Sequence, residues 1–206
     1  MDYWVLYRTV RQQKPLEVLE CGTGVSTLVI AHALMENEQE TGKKGRIASM
    51  EEYTEWLEMS RRLLPDKYRP YVDFCLSETC EESFSLFRGV RYADAPERPY
   101  DFVFVDGPKT VSPKDGYPTC DFDFVHLLRK SESPIAGLVD KRVSTCFVLQ
   151  QLLGDKFRYD PVFHLGIISP VTRMDIGTLA AEISSVNFED SFRAFGRTIL
   201  RFSSCP

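Results

Sequence analysis

The sequence predicts a doubly wound α/β domain, and three observations predict it. Short apolar runs alternate with longer segments whose apolar residues recur at helical spacing. Glycines and acidic residues stand where the apolar runs end. No internal repeat or low-complexity stretch divides the 206 residues. Alternation of this kind implies a mostly parallel sheet covered on both faces, because parallel neighbours need a crossover and the crossover is normally a helix.

The first strand is Leu16-Glu17-Val18-Leu19-Glu20, and residues 25–35 form the helix after it. Residues 36–45 are charged and end on glycine, so they read as an exposed loop. The second strand is 45–50. Its helix, 53–64, is stopped by Pro65, which lacks the N–H a helix needs. A third strand falls at 71–76. Asp101-Phe102-Val103-Phe104-Val105 is the clearest strand, short, apolar and followed by Asp106, Gly107 and Pro108. A helix at 122–129 leads to a fifth strand at 135–139, then to a helix at 143–153 that Gly154 closes. Residues 157–168 and 197–202 read as two further strands, giving a seven-stranded sheet in one domain over 1–206.

Hydrophobic residues make up 43% of the chain and charged residues 27%, ordinary globular usage and too apolar for a disordered chain. The net charge of -5, with scattered basic residues, mildly repels a phosphate backbone and disfavours nucleic acid as a partner. Cys21, Cys75, Cys80, Cys120, Cys146 and Cys205 contain no C-x-x-C pair and read as reduced, structural thiols. The opening residues show no charged leader followed by a long apolar stretch, and no apolar run approaches the ~20 residues of a membrane span. The expectation is a soluble, cytoplasmic protein without membrane partners. Nothing in the sequence bears on oligomeric state.

In a doubly wound sheet the ligand sits at the carboxyl ends of the strands, near the point where strand order reverses. After the first strand stands Glu20-Cys21-Gly22-Thr23-Gly24-Val25-Ser26-Thr27, whose two glycines supply a tight turn and let a ligand approach the backbone. Any strand-to-helix turn favours glycine, so this motif taken singly is weak. Glu20 adds weight. Its carboxylate would repel a dinucleotide pyrophosphate but suits a ligand carrying an ammonium and a sulfonium. The dinucleotide fingerprint also wants a third glycine where Thr27 stands. After the second strand, Glu51 can accept both hydroxyl protons of a ribose, whereas Glu52 reads as a solvated residue in the first turn of the next helix.

Glu20-x-Gly22-x-Gly24-x-Ser26, Ser49-Met50-Glu51 and Tyr100-Asp101-Phe102-Val103-Phe104-Val105-Asp106-Gly107-Pro108 resemble successive motifs of the class I S-adenosylmethionine-dependent methyltransferases. The resemblance covers roughly residues 16–153 and implies a Rossmann-like methyltransferase fold with S-adenosyl-L-methionine as cofactor. It implies that Glu20, Gly22 and Gly24, with Ser26 and Thr27 in the same turn, lie by the methionine part. Glu51 would lie by the ribose, and Ser77 or Glu78 by the adenine. Ser26 departs from the family's third glycine, as glycine-serine-threonine variants do.

Asp106 ends the fourth strand, where this family presents catalytic groups, and Lys109 follows at a spacing similar to that of the catechol O-methyltransferase group. In that group the aspartate holds magnesium and the lysine is the general base. Asp140 would be the second carboxylate, but Lys141 stands where that group carries an amide ligand, and a cation there opposes a divalent metal. The reading is therefore metal-free, with Asp106 and Lys109 as the catalytic pair. The plainer reading of Asp106-Gly107-Pro108 is a turn, and of Lys109 a solvated loop lysine. His32 and His126 read as helix residues without chemistry, and His164 as a weak candidate base.

The favoured activity is direct in-line transfer of the sulfonium methyl to an oxygen nucleophile of a small molecule or sugar. No serine or cysteine sits in a nucleophile elbow, so no covalent intermediate is needed. Two alternatives are a non-catalytic nucleotide-binding or regulatory protein on the same fold and a nicotinamide-dependent oxidoreductase.

Overall fold

The computed structural model describes residues 3–177. Helix α1 (Tyr3–Gln13) leads into strand β1 (Glu17–Cys21), helix α2 (Val25–Thr41), β2 (Arg46–Glu51), α3 (Thr54–Leu63) and β3 (Val72–Leu76). A hairpin of β4 (Thr79–Phe84) and β5 (Phe87–Tyr92) precedes β6 (Phe102–Val105), α4 (Asp123–Lys130), β7 (Ile135–Asp140) and α5 (Val143–Leu153). Strands β8 (Phe157–Asp160) and β9 (Leu165–Val171) follow.

The main sheet has seven strands in the order β3-β2-β1-β6-β7-β9-β8. The first five are parallel, and β9 runs antiparallel to both β7 and β8. Strand order reverses between β1 and β6, so their carboxyl ends flank the crevice that open α/β sheets use for ligands. Cys21 pairs with both Met50 and Val105, which brings the three strand ends level.

Alternation along the strands divides the core between the two faces of the sheet. Leu19, Cys21, Val103 and Val105 pack in one buried cluster, whereas Val18, Phe102 and Phe104 pack in the other. All four residues of β6 are buried, as a strand covered on both sides requires. Helix α1 closes the second cluster with Leu6 and Val10. Among the described residues, no helix is long and apolar enough to cross a membrane, and Cys21, Cys75, Cys80, Cys120 and Cys146 are free thiols.

Besides helix α1, to which the sequence reading assigns no element, the structure differs from it in three places. Residues 36–41 are helical, continuing α2 to a left-handed cap at Gly42 (φ 72°) whose N–H bonds the Glu38 carbonyl. The charges that make this stretch look like a loop are anchors: Tyr7 donates to Glu36 at 2.5 Å, Tyr71 to Glu38 at 2.6 Å and Lys14 to Glu40 at 2.5 Å. Residues 157–168 are not one strand. Asp160 accepts the N–H groups of Val162 and Phe163 and turns the chain back, so this one region supplies both β8 and β9. The strand expected at 197–202 lies outside the described residues, as does Cys205.

The third difference is the β4–β5 hairpin between β3 and β6, a separate two-stranded sheet. It buries Phe87, Val90 and Tyr92. Gly89 is required by close approach, because a β-carbon there would collide with the Phe122 ring and the Cys120 carbonyl.

Candidate active site

The turn after β1 lies directly on the end of β6. Gly22 adopts φ +95°, and a β-carbon on it would meet the Asp106 carbonyl oxygen at 2.9 Å, so only glycine fits. A β-carbon on Gly24 would meet nothing within 4 Å. Space for a ligand therefore opens beside Gly24, while Gly22 is consumed by packing.

Glu20 is fully buried beneath this turn. Its Oε2 accepts hydrogen bonds from the hydroxyls of Thr27 and Ser49, both at 2.6 Å, and Thr27 also accepts the Gly24 N–H at 3.1 Å. Oε1 has no hydrogen-bond partner among the described residues. Burial pushes the Glu20 carboxyl up to about 7, against the opposing pull of the Ser26, Ser49 and Thr27 hydroxyls. Ser26 is itself buried.

Glu51 ends β2 with both oxygens engaged. Oε2 accepts from Thr23 at 3.0 Å, and Oε1 accepts the N–H groups of Glu52 and Tyr53 at 2.9 and 3.1 Å. Helix α3 begins only at Thr54, so the pair precedes the helix. Glu52 is not merely solvated: its carboxylate accepts the Lys109 N–H at 2.7 Å and ties the β2 end to the β6 loop. Ser77 is buried and occupied within the chain, donating to the Glu78 carbonyl and accepting the Asp94 N–H. Glu78 is exposed beside it.

Asp106 and Lys109 come together in a cleft of about 460 Å³ at the carboxyl ends of β6 and β7, with Asp140, Lys141, Arg142 and Thr145 on its walls. Asp106 is exposed at the rim, and partial burial raises its carboxyl above the ordinary range while Arg142 opposes the rise. A larger cavity of about 660 Å³ opens between the 93–100 segment and α4, near Tyr100 and Ile135 at the amino-terminal ends of β6 and β7. Chemistry in open α/β sheets belongs to the carboxyl ends, so the smaller cleft is the candidate acceptor site.

Two residues that carry this cleft were not singled out in the sequence. Arg142 donates to the Pro108 carbonyl at 2.6 Å, to the carbonyl of Asp106, and to Asp121 Oδ1 at 2.9 Å. Asp121 is buried, receives the Thr145 hydroxyl at 2.6 Å, and is pushed up to about 6 by burial against the pull of Arg142. The readable signal was an arginine at the amino end of a predicted helix, where the dipole disfavours a cation unless an anion answers it.

His164 is not among the cleft residues. Its ring faces the Tyr159 hydroxyl at 3.2 Å, and its carbonyl accepts the Lys141 N–H. His32 packs between Tyr7 and Tyr68, and His126 pairs with Glu82. Among the described residues, no group of three or more His, Cys, Asp or Glu side chains converges as a metal site would require.

Residues 19–132 match the model of a methyltransferase domain family. The chain belongs to that family. No curated protein matches it. The match runs from β1 through α4 and takes in Glu20, the glycine turn, Glu51, Asp106 and Lys109. It stops before β7, so Asp140, Lys141 and Arg142 lie beyond the matched part of the methyltransferase. The open space beside Gly24 and the unpartnered, buried Oε1 of Glu20 fit the S-adenosylmethionine that the family implies.

Proposed function

We propose that this methyltransferase binds S-adenosylmethionine against the Gly22–Thr27 turn and transfers the methyl group to an oxygen nucleophile of a small molecule or sugar. The observation that carries the reading is the meeting of Asp106 and Lys109 in one polar cleft, with Asp106 also packed on the cofactor turn. S-adenosylmethionine, when bound, supplies a methyl group activated by a sulfonium.

Gly24 leaves room for the ligand, and Glu51 offers a carboxylate at the ribose end. Asp106, its carboxyl raised by burial, accepts the proton of the acceptor hydroxyl as the oxygen attacks. Lys109 neutralises charge developing on that oxygen. Arg142 holds the Asp106 and Pro108 carbonyls and so orients the acid without supplying a proton.

Calorimetric titration with S-adenosylmethionine, S-adenosylhomocysteine and nicotinamide dinucleotides tests the cofactor, and radiolabelled methyl transfer to hydroxylated acceptors tests the reaction. Binding of the nicotinamide ligand alone would overturn the proposal. So would methyl transfer confined to nitrogen or carbon acceptors.

A further inference from the structure

The glycine turn covers a carboxyl group that has hydrogen bonds but no counter-charge. Glu20 is 0% exposed, and its Oε1 is a buried oxygen without a hydrogen-bond partner among the described residues. The groups that face it come from three elements besides its own. They are the hydroxyls of Ser26 and Thr27 from α2, the hydroxyl of Ser49 from β2, and the Asp106 carboxyl at the end of β6. Its neighbour in β1, Cys21, is a buried thiol that burial keeps neutral. None of these is a cation, and Asp106 adds like charge. A buried carboxyl in such surroundings holds a proton in preference to standing as an unpaired ion. The rise of Glu20 to about 7 agrees with that.

A short chain of hydrogen bonds joins this carboxyl to the ligand side of the turn. The Gly24 N–H donates to Thr27 Oγ1 at 3.1 Å, and the Thr27 hydroxyl donates to Glu20 Oε2 at 2.6 Å. Glu20 is thus two hydrogen bonds away from Gly24, the point where the backbone leaves open space. S-adenosylmethionine and S-adenosylhomocysteine both have an ammonium in their amino-acid part. A unit positive charge about 6 Å from a carboxyl favours its ionisation by about a hundredfold at the effective dielectric of a protein.

We infer that Glu20 is protonated in the free protein and gives up that proton when the ammonium of the cofactor arrives, so that cofactor binding and proton release are one coupled step. The proton passes to solvent, and the buried acid becomes the counter-ion of the ligand. Cofactor affinity therefore rises with pH until the free protein is itself ionised. The inference rests on the proposed cofactor reading, which sets the amino-acid part against this turn.

The test is calorimetric titration of the full chain at pH 6 with S-adenosylhomocysteine and with 5′-methylthioadenosine, which lacks the ammonium. Each titration is run in phosphate, MES and bis-Tris, whose different ionisation enthalpies report the protons released. S-adenosylhomocysteine should release more than half a proton per ligand bound, and 5′-methylthioadenosine essentially none. The dissociation constant for S-adenosylhomocysteine should fall about tenfold from pH 5.5 to 7.5. In Glu20→Gln both the release and this pH dependence should vanish. If that variant does not bind, the two ligands on the parent chain still decide. Release below half a proton, equal release with both ligands, or release that persists in Glu20→Gln would each overturn the inference while leaving the cofactor reading intact. A parent chain that binds neither ligand would overturn this inference and the proposed function together.

Discussion

Glu20→Gln should stabilise the protein, and by more as the pH rises. The Glu20 carboxyl sits at about 7 in the folded chain against an ordinary 4.5, because it is fully buried and its three hydroxyl neighbours do not offset the desolvation. A group whose folded value is raised contributes stability that is fully present below 4.5 and is lost as the pH rises through about 7. At about 1.36 kcal/mol per pH unit, the ionised carboxylate makes the fold about 3 kcal/mol less stable at pH 8.5 than its protonated form would. Glutamine keeps an oxygen for the Ser49 and Thr27 hydroxyls and has no charge to bury.

The assay is urea unfolding of parent and variant at pH 4.5, 6.5 and 8.5. The difference should be near zero or slightly against glutamine at the lowest pH and approach about 3 kcal/mol in its favour at the highest. In a thermal melt this corresponds to roughly 6–12 °C for a chain of this size. Taking the difference between the two proteins cancels the contributions of Asp121 and Asp123, whose carboxyls burial also raises. A difference that stays flat across the three pH values would refute the buried, raised carboxyl. One that reverses sign, favouring glutamate at high pH, would mean that the orphan Oε1 holds a cation in the free protein.

Gly24→Val should abolish S-adenosylmethionine binding and also lower the melting temperature, because its side chain enters open space but Gly24 holds a φ of +157° that side-chain-bearing residues rarely adopt. Tight binding by the folded variant, measured by calorimetry, would move the ligand away from this turn. Asp106→Asn should leave S-adenosylhomocysteine affinity within a few-fold of the parent while cutting turnover by roughly a hundredfold or more, and EDTA should leave parental turnover unchanged. Full loss with EDTA, restored by magnesium, would recast Asp106 and Asp140 as ligands. Arg142→Met should destabilise by about 3–5 kcal/mol at pH 8, where it leaves the buried Asp121 charge unanswered. The loss should shrink at pH 5, below the value of about 6 to which Asp121 is pushed, where protonation removes that charge; equal losses at both pH values would show that the ion pair is not their source.

The parallel half of the fold was legible because each strand there is a short apolar run ending at a turn residue. Phe102–Val105 is buried throughout and followed directly by Asp106 and Gly107, so its type and its carboxyl end could both be read. The positions of Glu20, Glu51 and Asp106 were legible for the same reason, as polar residues at or beside strand ends. The β4–β5 hairpin was not. Its strands carry Glu81, Glu82, Arg88 and Arg91, whose charges are answered by one another and by Lys114, Asp115, His126 and Arg129 from distant loops and from α4. Without those partners the stretch reads as a polar loop. The ion pair of Asp121 with Arg142 was hidden in the same way, its members separated by a helix and a strand and joined by no spacing rule.

These hidden parts decide how rigid the visible ones are. Gly22 and Gly107 pack backbone against backbone, so the β6 loop cannot move away from the glycine turn after β1 without opening that contact. On its other side the loop is held by Arg142 through the Asp106 and Pro108 carbonyls, and Arg142 is itself fixed by the buried Asp121 and its Thr145 partner. Glu52 adds a third tether at the Lys109 N–H. Asp106 thus projects from a backbone clamped from β1, β2 and α5, which in the proposed reaction would present its carboxylate to an incoming hydroxyl from a fixed point. Lys109 shares the clamp only through its backbone. In the proposed reaction Asp106 would fix the direction of proton removal, and the four-carbon side chain of Lys109 would adjust to acceptors of different size.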